Sequence, residues 1–441
     1  MDRQTKRRRA VELAKDVVIV ALACSALFLA SQIQPFRNLG GTAQSDTTAN
    51  TIQTPEGARA DAIRPLRLVA NLAGEGTPVR YGVQYDTAQS DQIFQQVASL
   101  LAEALSSAGE PERMSRGQWE KVLSETPGIA FDFQGNIPMV VLVGWLSGES
   151  TQLEATVRRV VLTTYEDQVA VCYQDVTTGE YFRCLSGMAN QFHLTETLGA
   201  LGENGAHYAF EVESYEMLDP DTLISETTPV PAIYTASNPV SGGQEDLKEI
   251  MEALGLSVEN SSFYPSVDGQ VARVGSDTLR LYDQGTVEYQ TGEEGESAFQ
   301  VSSRSQESLV FESVELCRKL TAAVLGGRCG EARFFLSEVQ QTDEGLRVSF
   351  QYCLNGSVVQ MERGSAAQFV LKDGQIQSFY LVLRSYANSG RTSVVMPFRQ
   401  AAAALEAEGL EGKELLLMYT DTGADTVTAS WMAADHAWEE E

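Results

Sequence analysis

Histidine is almost missing from this chain: His193, His207 and His436 are the three among 441 residues, which excludes a histidine-rich metal site. His193 and His207 flank the glycine-rich stretch GALGENG, with Gly199, Gly202 and Gly205, and read more simply as two ordinary histidines than as a metal pair. That stretch does not fit the G-x-G-x-x-G of a dinucleotide fold and follows no clear strand. The hydrolase elbow G-x-S-x-G, the zinc-protease H-E-x-x-H, the phosphate-binding G-x-x-x-x-G-K-[ST] and C-x-x-C are all absent. Asp219-Pro220-Asp221 lacks the glycine and closing glutamate of a calcium loop. Basic residues are scarce too, 32 against 60 acidic, a formal net charge of −28. Such a surface repels phosphate backbones, so no nucleic-acid partner is expected. In so acidic a chain, pairs such as Glu211 and Glu213 read as solvated faces rather than catalytic dyads. The reading is therefore of a non-enzyme, with no catalytic residue, no cofactor and no metal.

What is present begins at the N-terminus. Arg3, Lys6, Arg7, Arg8, Arg9 and Lys15 precede an uncharged run over residues 17–33, VVIVALACSALFLASQI. Its 17 residues are at the short end of what crosses a bilayer as a helix, and the basic flank places the N-terminus in the cytoplasm. Two alternatives fit less well. Cleavage after Ala30 would put Phe28 at the −3 position, and lipidation at Cys24 would put Leu22 one place late. The expectation is an uncleaved single-pass anchor in the cell membrane, with a cytoplasmic tail at 1–16 and the bulk outside.

Apolar residues are 43 % and charged residues 21 %, ordinary for globular chains, and the length suits two to three domains. Residues 34–63, rich in Gly, Thr, Ala and Gln, read as a flexible stalk. A first α+β region is expected over 64–217. It has strands at 67–70, 80–85, 129–133 and 139–145, and helices at 91–108 (capped by Ser90) and 115–124. A meander at 154–165, 168–175 and 181–185 completes it. Residues 218–243, with Pro220, Pro229, Pro231 and Pro239, read as a linker.

A second α+β region follows over 244–434, with helices at 244–254, 305–325 and 394–408. Short strands lie at 270–274, 277–282, 286–289, 333–340, 345–354, 366–372, 375–383, 414–419 and 427–431. It reads as a helix-then-meander theme used twice, over 244–330 and 331–434. An acidic tail closes the chain at 435–441. The predicted class is α+β: one transmembrane helix, then antiparallel sheets each packed with helices.

Five cysteines lie beyond the anchor. Counting outward from a turn centred on Thr178, Cys172 and Cys184 fall opposite each other, which makes a cross-strand disulfide a candidate in an exported protein, with buried thiols the alternative. Cys317 and Cys329 have the same spacing and are a weaker candidate pair, leaving Cys353 odd.

Five stretches of the second region carry a resemblance. SSFYPSVDGQ (261–270) leads into DTLRLYDQGTVEY (277–289), and VVMPFRQAAAAL (394–405) is followed by LLLMYT (415–420) and TASWMA (428–433). This order of apolar helix, strand with Tyr and strand ending near Trp resembles the C-terminal domain of the YycH/YycI family, and the small PepSY-type module. Members are membrane-anchored, extracytoplasmic, non-enzymatic regulators of the essential cell-wall two-component system of Gram-positive bacteria. The resemblance implies a sensor histidine kinase as partner, with a related regulator a candidate second one, and two PepSY-like subdomains in the second region. It also implies that the span itself contacts the kinase. Ala23, Ala26 and Ala30 then form the expected contact face, because small residues let helices approach closely in lipid. The other reading is a membrane-anchored binding module for an extracellular ligand such as a cell-wall fragment or peptide.

Overall fold

The computed structural model describes residues 63–72, 79–188, 196–197, 199, 201–292, 297–301 and 305–434. All belong to one compact unit, Asn50–Glu441. The expected span, with Ala23, Ala26 and Ala30, and the tail at 435–441 lie outside the described residues, as do His193 and His436. No helix among the described residues is long and apolar enough to cross a membrane.

The first part of the chain runs β1 (Arg67–Leu72), β2 (Val79–Val83), α1 (Thr87–Ser106), β3 (Glu112–Met114), α2 (Arg116–Ser124), β4 (Gly128–Pro138), α3 (Met139–Ser147), β5 (Thr156–Tyr165), β6 (Gln168–Gln174) and β7 (Tyr181–Leu185). These strands form an antiparallel sheet in the order β2-β1-β4-β5-β6-β7-β3. Alternate residues feed two cores. Leu68, Phe131, Val160 and Val171 share one with α1 and α3. Val69, Ala130, Val161 and Cys172 share the other with Trp119 and Leu123 of α2.

Helix α1 starts earlier than expected. Asp86, not Ser90, caps it by accepting from the Gln89 amide at 3.0 Å, while Ser90 Oγ donates to the Pro65 carbonyl at 3.0 Å. Helix α2, expected over 115–124, starts one residue later, with Ser115 as its cap in a capping box with Gln118. The larger correction is α3, expected as a strand at 139–145. Met139, Val141, Leu142, Val143 and Trp145 are all buried, and the helix packs against both α1 and, later in the chain, residues 306–325. A short, continuously apolar run does not distinguish a buried helix from a buried strand. Gly144 shows how tight the fit is, because a Cβ there would collide with the Phe311 ring.

The expected linker is partly structured, with β8 (His207–Tyr208), β9 (Leu223–Ile224) and β10 (Ala232–Ser237). Strand β10 joins β20 (Ser385–Thr392) and β22 (Thr426–Val427) in a small separate sheet. Residues 218–243 are therefore not a gap between two bodies.

Helices α4 (Gln244–Ala253) and α5 (Gln306–Leu325) lie on one side of the second sheet. Its strands are β11 (Ser261–Ser266), β12 (Gly269–Val274), β13 (Asp277–Tyr282), β14 (Thr286–Gln290), β15 (Arg333–Thr342), β16 (Gly345–Leu354), β17 (Ser357–Met361), β18 (Ala367–Lys372) and β19 (Gln375–Val382). Their order is β11-β12-β13-β14-β19-β18-β16-β15. Because β14 pairs with β19, the two expected subdomains at 244–330 and 331–434 share one sheet and are not separate modules. Past Phe350, β16 leaves β18 for β17, which runs parallel to β21 (Glu414–Asp421) and through it meets β23 (Ala429–Ala434). Helix α6 (Phe398–Ala407) covers a small core with Leu218 and Leu415. The two sheets touch where β15 meets β4 at Glu338 and Asn136.

Candidate functional site

The strongest concentration of chemistry lies where the first sheet meets the start of β21. Glu414 is fully buried, at 0 % exposure. Its Oε1 accepts from Arg67 Nη1 at 2.7 Å and Arg159 Nη2 at 3.3 Å, and its Oε2 from Arg158 Nη2 at 2.5 Å. Asp132 accepts from Arg158 Nε at 3.2 Å and Arg159 Nε at 3.1 Å. Arg158 and Arg159 are neighbours on β5 and would normally face opposite ways. Both reach Asp132 because the β4–β5 register shifts between Asp132 and Ile137, where Gln134 takes a left-handed φ of 58°. The Gln134 amide and side chain then donate to the Asp132 carboxylate at 2.9 and 2.8 Å.

A second layer comes from the former linker. Asp221 accepts from Trp119 Nε1 at 3.0 Å and Arg116 Nη2 at 2.5 Å, and pairs with Arg159 Nη1 at 3.3 Å. Asp219 accepts from the Asp221 amide at 2.8 Å, and its own amide donates to the Lys413 carbonyl at 2.9 Å. The hub thus ties β1, β4, β5, α2, the 219–221 turn and β21 together by charge.

Its members titrate differently. Burial alone would raise Asp132, but Arg158, Arg159 and Arg67 outweigh it and hold the carboxyl below its usual range. Burial of Asp219, with Glu414 and Asp221 close by, overcomes Arg159 and pushes its pKa up to about 7. The Glu211 carboxylate, expected on a solvated face with Glu213, instead pairs with Arg80 beneath Tyr208.

The hub was legible in part. Two consecutive arginines in VRRVVL and an aspartate in IAFDF interrupt otherwise apolar strands, and charges in such strands are buried in pairs when buried at all. Glu414, 255 residues beyond Arg159, carries no comparable local signal.

The cysteine expectation is corrected. Cys172 and Cys184 are free. The β6–β7 register pairs Cys172 with Arg183 and Cys184 with Val171. The connection is therefore centred half a residue before Thr178, so the two thiols sit in different cores on opposite faces of the sheet. Burial pushes Cys172 up to about 12 and Cys184 up to about 11, so neither is an activated thiol. Cys317 is likewise a buried free thiol, not bonded to Cys329.

Among the described residues no three His, Cys, Asp or Glu side chains are placed to hold a metal ion. Where the sheets approach each other, an open cleft of about 530 Å³ lies between the start of α3, the β6–β7 turn and the β15–β16 hairpin. Met139, Leu153, Val310 and Leu346 line it, with Glu154 and Asp175 at its polar side.

Two fused sheets with a shared helical layer, joined by a buried ionic hub, define an α+β class. No protein-family model matches the chain, and no curated protein sequence matches it. Its fold is YycH-like: the crystal structure of YycH from Bacillus subtilis aligns with a TM-score of 0.54 at 11 % identity, over 86 % of this chain and 95 % of that one.

Proposed function

We propose that this chain is a membrane-anchored, non-enzymatic regulator that controls a sensor histidine kinase through protein contacts. The observation that carries the reading is the YycH-like fold over nearly the whole of both chains, joined to the basic, apolar N-terminus. The anchor at 17–33 holds the N-terminus in the cytoplasm and the folded unit outside. The span contributes a contact face at Ala23, Ala26 and Ala30. A regulator of this kind acts only through different contacts with two kinase states.

Purification of the full chain from detergent-solubilised membranes tests this. A sensor kinase should co-purify, and kinase output should change when the chain is deleted. Replacing Ala23, Ala26 and Ala30 by Leu should weaken that control without altering expression. Absence of any kinase from the purified material, with kinase output unchanged on deletion, overturns the reading. The cleft of about 530 Å³ supports a second reading, a binding module for an extracellular ligand. Raised melting temperature with cell-wall fragments, lost on Leu153→Glu, would favour it.

A further inference from the structure

The second sheet has helices on one side only. Ala272, Leu279, Leu281, Val287, Phe369, Phe379 and Leu381 turn toward α5 and the main core. Most of the opposite row is half-buried or exposed: Tyr264, Arg273, Thr278, Arg280, Tyr282, Glu288, Gln290, Tyr380, Gln368, Arg347 and Glu338, while Thr286 and Ser349 on it are buried. Their register places them on one face of eight consecutive strands. At strand spacings of about 4.8 Å this face is about 38 Å wide and, with strands of about five to six residues, about 17–20 Å long. That is close to the ~800 Å² per partner of a standard interface.

Its charge is inverted relative to the rest of the molecule. Arg273, Arg280, Arg347 and Lys372 lie on these strands. Arg363, from the β17–β18 turn, reaches over the Tyr380 ring with its guanidinium 5.0 Å from the ring centre. Against these five cations stand Glu288, Glu338, Glu362 beside Arg363, and Asp268 in the β11–β12 turn near Arg280, in a chain with 32 basic and 60 acidic residues. Glu288 is already engaged, by Arg363 at 2.8 Å and Tyr282 Oη at 2.7 Å. Arg280 stacks on Tyr282, and its Nε has no acceptor. A shallow depression of about 350 Å³ in the middle is lined by Thr278, Arg280, Gln290, Gln368 and Tyr380. Tyr and Arg are the residues that dominate binding energy at protein interfaces.

We propose that this open face is the docking surface for an acidic protein partner. The inference rests on the protein-contact reading above and moves a principal contact from the span to the folded unit. The partner presents carboxylates to Arg273, Arg280 and Arg363 and an apolar or aromatic side chain to the central depression. Its approach is steered by opposite charge, while the remaining acidic surface disfavours other orientations.

Photo-crosslinking in membranes containing the full chain tests it. p-Benzoylphenylalanine is placed at Gln290 or Gln368 on the face, and at Gln96 of α1, exposed on another element, as a control. The face positions should give one discrete protein adduct and Gln96 none. The adduct should fall at least about tenfold in the Arg273→Glu, Arg363→Glu double variant, whose melting temperature is checked to be unchanged. It should also fall when salt is raised from about 0.05 to about 0.5 M. Adducts that survive charge reversal, or form equally at Gln96, overturn the proposal. So does an adduct that is a second copy of this chain or a glycan rather than another protein. The two readings fail separately. A kinase that co-purifies regardless of the face leaves the kinase reading standing without this surface. A face-dependent adduct that is not a kinase does the reverse.

Discussion

The two sheets handle charge in opposite ways. The first is covered on both faces, so the charges at the centre of its strands are sealed inside and matched, Asp132 and Glu414 against Arg67, Arg158 and Arg159, and only the edge strand β3 shows charge to solvent. The second is covered on one face, and its arginines stand half-exposed over tyrosines. Buried ions must be paired within the chain, because taking a charge out of water costs several kcal/mol. Exposed ones remain available to another molecule. Charge in the first sheet therefore fixes structure, and charge in the second lies at the surface, where it can serve recognition.

The most forceful way to break that contrast is Glu414→Gln. It leaves Arg67 and Arg158 short of their shared counter-ion, and urea unfolding should show a loss of about 3–5 kcal/mol. A loss under 1 kcal/mol would mean that the hub is not what holds β21 to the first sheet.

The next effect is in pH. Folded Asp219 has its pKa raised to about 7, against a usual 3.8. Between these values the folded chain holds a proton that the unfolded chain has released. This group's contribution is therefore most favourable at or below about pH 4, and falls as pH rises through the window to about 7, by on the order of a few kcal/mol. Asp132 runs the other way: its lowered pKa gives stability that is present above the usual carboxylate range and lost only as pH falls below it. Melting temperature should accordingly decline from pH 5 to pH 8, and Asp219→Asn should flatten the decline. An unchanged slope in the variant would assign the pH dependence elsewhere.

Gly144→Ala should cost about 1–3 kcal/mol by calorimetry, since the added methyl meets Phe311 where α3 packs on α5. At the bottom of the scale, Arg273→Ala on the open face should stay within about 0.5 kcal/mol of the parent. A large loss there would place Arg273 in the scaffold rather than on a recognition surface.

Which features were legible in the sequence follows from the same physics. Helix α2 and the antiparallel meanders carry local periodicity and turn residues, so their places agree closely with expectation, whereas α1 begins four residues early, at its Asp86 cap. The run at 139–145 carries no period because nearly every residue of α3 is buried, and its state is set by α1 and α5 rather than by its own residues. The cysteine pairing failed on half a residue of turn centre, which is enough to send Cys172 and Cys184 to opposite faces. The fusion of the two meanders through β14 and β19 joins segments about 90 residues apart, as Val287 opposite Leu381 shows, and no local pattern announces it. The hub was half visible, as arginines and an aspartate in apolar strands, and half hidden in a glutamate near the far end of the chain.

That last separation bears on how the chain comes to be folded. Arg67 and Glu414 are 347 positions apart, so on a ribosome the arginines of β1 and β5 emerge long before the carboxylate that neutralises them. The opening third cannot settle into its final arrangement by itself and must wait for β21 to arrive. A ring closed this late gives slow, concentration-sensitive acquisition of structure. It also gives a simple form of quality control: a chain broken off before residue 414 keeps Arg67, Arg158 and Arg159 facing a low-dielectric interior with Asp132 and Asp221 but without Glu414, and stays open to proteases.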